Sequence, residues 1–136
     1  MKVIIVDANI ILRFLVKDND DYFERSNAVF KQVSEGKVQI YISPLIIAEV
    51  IWVLYKIYKI NKSDITEKLS NLISDKNIIL KEKSIVLKSL KDFSDKNNIS
   101  FPDAYIANAS IDNSMEIYSF DKGLLSAYPD LTIFQI

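Results

Sequence analysis

Residues 2–7 read Lys2-Val3-Ile4-Ile5-Val6-Asp7, a short run of mostly β-branched apolar side chains that stops on a carboxylate. Such a run predicts a strand buried on both faces, because a half-exposed strand would alternate polar and apolar positions. Directly after it, residues 8–17 carry Ile10, Ile11, Phe14 and Leu15 at helical spacing. Strand therefore passes into helix through Asp7, and the rest of the chain repeats this alternation.

Tyr22, Val29, Phe30 and Val33 mark a second helix, with Gly36 as a left-handed stop. Residues 38–42 read as a second strand, and Ser43-Pro44 supplies an N-cap followed by proline at the first helical position, opening a third helix to about residue 59. Ile65, Leu69, Leu72 and Ile73 define a fourth helix, 78–80 a short strand, and Val86, Leu90 and Phe93 a fifth helix. A sixth is expected from about Pro102, strands at 115–120 and 132–135, and a short helix at 122–127 between them. Alternating elements imply an α/β fold with a central, largely parallel sheet of about five strands and helices on both faces. In such sheets ligands bind outside the carboxyl ends of the strands.

A chain of 136 residues with 49% hydrophobic content can fill one core, and two glycines and three prolines leave no stretch that reads as a linker. One domain over residues 1–136 is expected. The first apolar run is too short for a signal peptide, and no later run approaches the ~18 apolar residues of a membrane span, so a soluble, cytoplasmic protein without membrane contact is expected. Zero cysteines and zero histidines exclude disulfides, thiolate sites and the commonest general base, leaving carboxylates, lysines and hydroxyls for any chemistry. A net charge of -1 argues against passive binding of nucleic acid by phosphate neutralisation alone. It argues less against a nuclease, because bound divalent cations reverse the local charge.

The acids are the candidates. Asp7 and Asp121 each follow a predicted strand, and each has a plain alternative as a helix N-cap. Ser100-Phe101-Pro102-Asp103 equally fits a capping box. Glu49 is the one charged residue between Tyr41 and Lys56, on a helix apolar nearly all round. Burial there would demand a cation, a proton or a cleft, the alternatives being an ion pair or a narrow exposed stripe. Four acids in one crevice would repel one another unless a hard cation joined them, and Mg²⁺ or Mn²⁺ takes such oxygen ligands together with substrate phosphates.

The order Asp7-x-Asn9, Glu49 in the helix after strand two, Asp103 at a late helix start, and Ser119-x-Asp121 after a late strand resembles the PIN domain over nearly the whole chain. Among PIN proteins the compact chain looks most like a VapC-type toxin of a prokaryotic toxin–antitoxin pair. Serine at 119 stands where the family often has threonine. The resemblance implies a three-layer α/β/α sandwich and a metal-dependent endoribonuclease. Asp7, Asp103 and Asp121 would hold the principal Mg²⁺ or Mn²⁺, Glu49 would complete the site or bind a second ion, and Asn9 and Ser119 would orient ligands and waters. It further implies an RNA substrate, a homodimer and a cognate antitoxin, with apolar area on the first helices as a seat for both proteins. Arg13, Lys17, Lys56, Lys59 and Lys62 are candidates for the RNA backbone, or simply solvated helix ends.

Other α/β readings fit less well. A receiver domain needs paired acids after strand one, and a haloacid-dehalogenase-type phosphatase needs Asp-x-Asp, where this chain has Asp7-Ala8-Asn9. A housekeeping RNA-processing nuclease and a non-catalytic RNA- or protein-binding member of the same fold remain open alternatives.

Overall fold

The computed structural model describes residues 1–134. Its elements run β1 (Lys2–Ile5), α1 (Ala8–Leu15), α2 (Asp20–Ser34), β2 (Val38–Ile42), α3 (Pro44–Trp52), one π-helical turn (Val53–Ile57), α4 (Lys62–Ile73), β3 (Ile78–Leu80), α5 (Lys83–Asp95), α6 (Phe101–Asn113), β4 (Ile117–Tyr118), α7 (Lys122–Ala127) and β5 (Ile133–Phe134). The chain divides into two compact units, Met1–Lys81 and Glu82–Ile136.

In the first unit β1, β2 and β3 form a parallel sheet in that order, with Lys2 opposite Val38 and Ile42 opposite Leu80. The central strand β2 buries Val38, Ile40 and Ile42 and leaves Gln39 and Tyr41 half-buried. Ile11, Ile47, Val50, Leu54, Ile65, Leu69 and Ile73 complete a fully buried core. The rings of Phe14 and Phe30 stack at 4.3 Å where α1 meets α2. Helix ends follow the local chemistry. Ser43 Oγ accepts from the Ile46 amide at 3.3 Å with Pro44 behind it, and Gly36 at φ 72° closes α2 while the Lys37 amide returns to the Gln32 carbonyl.

Two expectations are corrected here. β1 is not buried on both faces: Val3 is 53% and Ile5 75% exposed. β1 and β3 are the two edges of the three-stranded sheet, but α2 packs on β2 and α4 against β3, so helical cover falls on these two strands more than on β1. The third helix does reach residue 57, but its α-helical part ends at Trp52 and a π turn continues it. Lys59 at φ 58° then ends the run.

In the second unit α5 packs along α6, and the small side chains Ala104 and Ala107, both fully buried, allow close approach. Ile99, Ile117, Leu124 and Tyr128 join them in one apolar cluster. β4 and β5 pair in parallel with Ile117 opposite Ile133, and the rings of Tyr118 and Phe134 stack at 4.9 Å. β4 is shorter than the 115–120 predicted, because Ser114 at φ 53° and the Met115 amide are spent closing α6, and Ser119 already turns toward α7. Gln135, which the last predicted strand included, lies outside the described residues.

The fold class is α/β as expected, and each ladder among the described residues is parallel. The strands pair as a sheet of three and a sheet of two rather than as one sheet of about five. Among the described residues no helix is long and apolar enough to cross a membrane.

Ile40 is fully buried at the centre of β2, so Ile40→Ala removes methylenes and leaves a cavity. Urea denaturation should show a loss of about 2–5 kcal/mol relative to the wild type.

Candidate metal-binding acids

In the first unit Asp7 follows β1 in extended conformation and caps α1, its Oδ1 accepting from the Ile10 amide at 3.2 Å. The carboxylate is exposed, and so is Asn9 in the first turn of the helix. The capping role foreseen for Asp7 is thus real, but it uses one oxygen only. Glu49 sits in mid-α3, a helix that packs against α1.

Glu49 is exposed, so the alternative of a narrow exposed stripe is the one observed and the favoured reading of a buried acid is corrected. α3 packs through Ile47, Val50 and Ile51, and the opposite stripe carries Leu45, Glu49 and Trp52 outward. The helix is apolar all round without being covered all round, so burial does not itself require a cation at Glu49.

In the second unit Asp103 occupies the third position of α6, where its amide donates to Ser100 Oγ at 3.2 Å. Half of the predicted capping box therefore forms. The half-buried Asp103 carboxylate has no hydrogen-bond or ion-pair partner among the described residues, and the same holds for Glu49. Asp121 caps α7: its Oδ1 accepts from the Gly123 amide at 2.8 Å, and its own amide donates to Ser119 Oγ at 2.9 Å. A β-carbon at position 123 would stand 3.1 Å from that Oδ1, so glycine suits this tight cap.

Each unit thus contributes two of the acids, Asp7 and Glu49 from one and Asp103 and Asp121 from the other. Among the described residues no three acids stand close enough together to enclose an ion. The donor set is wholly oxygen, with no histidine or cysteine in the chain, and each acid keeps at least one uncommitted carboxylate oxygen. That chemistry fits a hard divalent cation such as Mg²⁺ or Mn²⁺.

The sequence did not single out a polar network in the second unit. Asp92 on α5 accepts from the Tyr128 hydroxyl at 2.6 Å and from Asn108 Nδ2 at 3.0 Å. Asn108, on α6 five residues after Asp103, also donates to the Ala104 carbonyl at 2.9 Å. Lys96 Nζ donates to the Ala127 carbonyl at 3.1 Å and lies 4.8 Å over the Tyr128 ring. One carboxylate thereby ties the helix bearing Asp103 to the end of the helix capped by Asp121. An asparagine on the otherwise apolar, alanine-lined face of α6 is the signal that points to it.

Arg13 is less available to a substrate than the sequence suggested. Its guanidinium pairs with Asp18 at 3.4 Å and covers the Tyr22 ring at 4.7 Å, and Asp18 also accepts from Tyr58.

An α/β chain whose oxygen-donor acids stand at strand-to-helix turns and helix starts has the makings of a metal-dependent hydrolase. The PIN domain family model matches residues 4–130, and the chain belongs to the PIN-domain family. This is a nuclease fold whose members generally depend on divalent metal ions and act on nucleic acid. No curated protein matches the chain.

The Asp92 network gives two expectations. Tyr128→Phe deletes a bond to a carboxylate at a buried ring, and urea denaturation should register a loss of about 1.5–3 kcal/mol. Burial, then the Asp92 hydrogen bond and charge, push the Tyr128 phenol well above the ordinary value of 10.0, and the Glu82 hydrogen bond raises Tyr105 to about 12. The unfolded chain ionises these phenols first, so their contribution is complete below pH 10 and is lost as pH rises toward the folded values. The melting temperature should fall between pH 10 and pH 12, and less steeply in Tyr105→Phe.

Proposed function

We propose that this protein is a metal-dependent endoribonuclease, the toxin of a toxin–antitoxin pair, that hydrolyses RNA phosphodiesters in the cytoplasm. The observation that carries this reading is the family match over residues 4–130 together with Asp7, Glu49, Asp103 and Asp121, each on a helix or its cap with an uncommitted carboxylate oxygen. The reading takes residues 1–136 as one functional domain, to which both units contribute.

Asp7, Asp103 and Asp121 would hold the principal Mg²⁺ or Mn²⁺, and Glu49 would complete the set or serve a second ion. Such an ion, when bound, would supply charge to offset the phosphoryl oxygens and would acidify a water for attack on phosphorus. Asp7 and Asp121 are suited to this because capping fixes each carboxylate by one oxygen and leaves the other to turn outward. Ser119, already held by the Asp121 amide, orients that carboxylate, and Asn9 orients water or phosphate from the first turn of α1.

For the antitoxin the favoured seat is a cavity of about 280 Å³ in the first unit. Phe14 and Leu15 of α1, Phe30 and Val33 of α2 and Leu72 of α4 line it, with Lys68 among its polar residues. An apolar side chain of a partner helix suits such a space. A homodimer belongs to the same reading.

One other reading is a binding member of the fold that does not cut.

Cleavage of structured and single-stranded RNAs with Mg²⁺ or Mn²⁺ separates the two. Asp7→Asn and Asp121→Asn should each lower the rate at least about a hundredfold, and Ser119→Ala about tenfold, with unchanged circular dichroism. Cleavage that survives EDTA would sink the metal mechanism, and no cleavage of any RNA would favour the binding member.

A further inference from the structure

The outward stripe of α3 does not end at Glu49. Leu45, Glu49, Trp52 and Lys56 follow one another at spacings of four, three and four residues, and all are exposed. Trp52 is 57% exposed although it is the chain's one tryptophan, and tryptophan is usually well buried. Behind it the helix widens into the π turn, a distortion frequent at functional sites, and Lys56 and Ile57 both come to the outside.

Cations collect where this stripe ends. Lys56 Nζ lies 5.2 Å and Lys62 Nζ 5.8 Å from the centre of the Tyr55 ring. Lys59 is exposed at the left-handed residue that ends the run. Burial, then the charge of Lys56, hold the Lys62 ammonium below its ordinary range.

Two kinds of partner cover exposed aromatic side chains. The centres of protein interfaces are depleted in lysine. Grooves for single-stranded nucleic acid combine lysines along the backbone with aromatic rings on which bases stack. Tryptophan and tyrosine interleaved with lysine between residues 52 and 62 match the second pattern.

We propose that the exposed stripe of α3 and its π turn is a platform for single-stranded RNA, with an unpaired base stacked on Trp52 and the adjoining phosphates on Lys56 and Lys59. The inference rests on the nuclease reading, in which Glu49, one turn before Trp52, belongs to the metal site. A base on Trp52 then lies along the strand from the bond to be cut.

The lone tryptophan makes the contact directly readable. A short fluorescein-labelled single-stranded RNA of mixed sequence is titrated into Asp7→Asn protein with Mg²⁺ present, reading fluorescein anisotropy, while Trp52 emission is followed with the same RNA unlabelled. Stacking should quench the emission. Trp52→Ala should weaken binding roughly tenfold or more, and Trp52→Phe should restore most of it. Lys56→Ala with Lys59→Ala should reduce the dependence of log affinity on log salt by about 0.7 per lysine.

RNA that binds, or is cleaved by the wild type, with Trp52 emission unchanged overturns the platform and leaves the nuclease reading standing. Emission that shifts with protein concentration and not with RNA assigns the stripe to a protein interface and also overturns it. Failure of the wild type to bind or cut any RNA overturns the nuclease reading and the platform with it.

Discussion

Parallel pairing is the constraint on which the rest depends. A parallel neighbour cannot be reached by a tight hairpin, so each strand must leave its sheet through a crossover, here a helix or a helix pair. Strand-to-helix turns then collect at the carboxyl ends of the strands. In the first unit β1 passes into α1 through Asp7 and β2 into α3 through Ser43, and in the second β4 passes into α7 through Asp121. At these three turns a side chain accepts from the free amides of the helix that follows, whereas Glu82 before α5 makes no such bond. The topology therefore recruits short polar side chains to one kind of position, and two of the three are carboxylates.

Most of the elements were legible because their signals are local. β2, β3 and α7 lie on the residues expected, each bounded by a cap, a glycine or a proline that acts within a few positions. The Ser43-Pro44 pair and Gly36 behave as their chemistry requires. Burial was less legible, because an apolar run states a preference and not what covers it. Val3 and Ile5 lie in an edge strand, and Glu49 lies on the uncovered side of a helix whose other face is fully packed. Strand count could be read, but the division into sheets of three and two depends on pairing that periodicity does not encode.

The Asp92 network shows the same limit from the polar side. Its bonds join residues 16 and 36 apart in sequence, beyond the reach of any helical or strand period. Asp92 looks like one more solvated acid on an amphipathic helix, and Tyr128 like a loop residue before Pro129. Only folding makes them partners, with Asn108 drawn in because a buried amide must find acceptors. The candidate acids, by contrast, were chosen through motif spacing, a statement about order along the chain that does not depend on burial.

Capping and metal binding are often weighed as rivals for an acidic residue, but at Asp7 and Asp121 the cap leaves one carboxylate oxygen uncommitted. A cap uses a single oxygen and holds the carboxylate at a helix N-terminus, where the aligned peptide dipoles favour negative charge. The acid thus has a structural role that needs no ion, so the helix start can form before any metal arrives. Its second oxygen keeps a fixed direction at little further entropic cost, which is what a ligand for a small hard cation requires. Asp103 reaches a related state by another route, since Ser100 caps α6 and leaves the whole Asp103 carboxylate uncommitted among the described residues. Capping does not exclude Asp7 and Asp121 as ligands, because each keeps an uncommitted oxygen beside the one that caps.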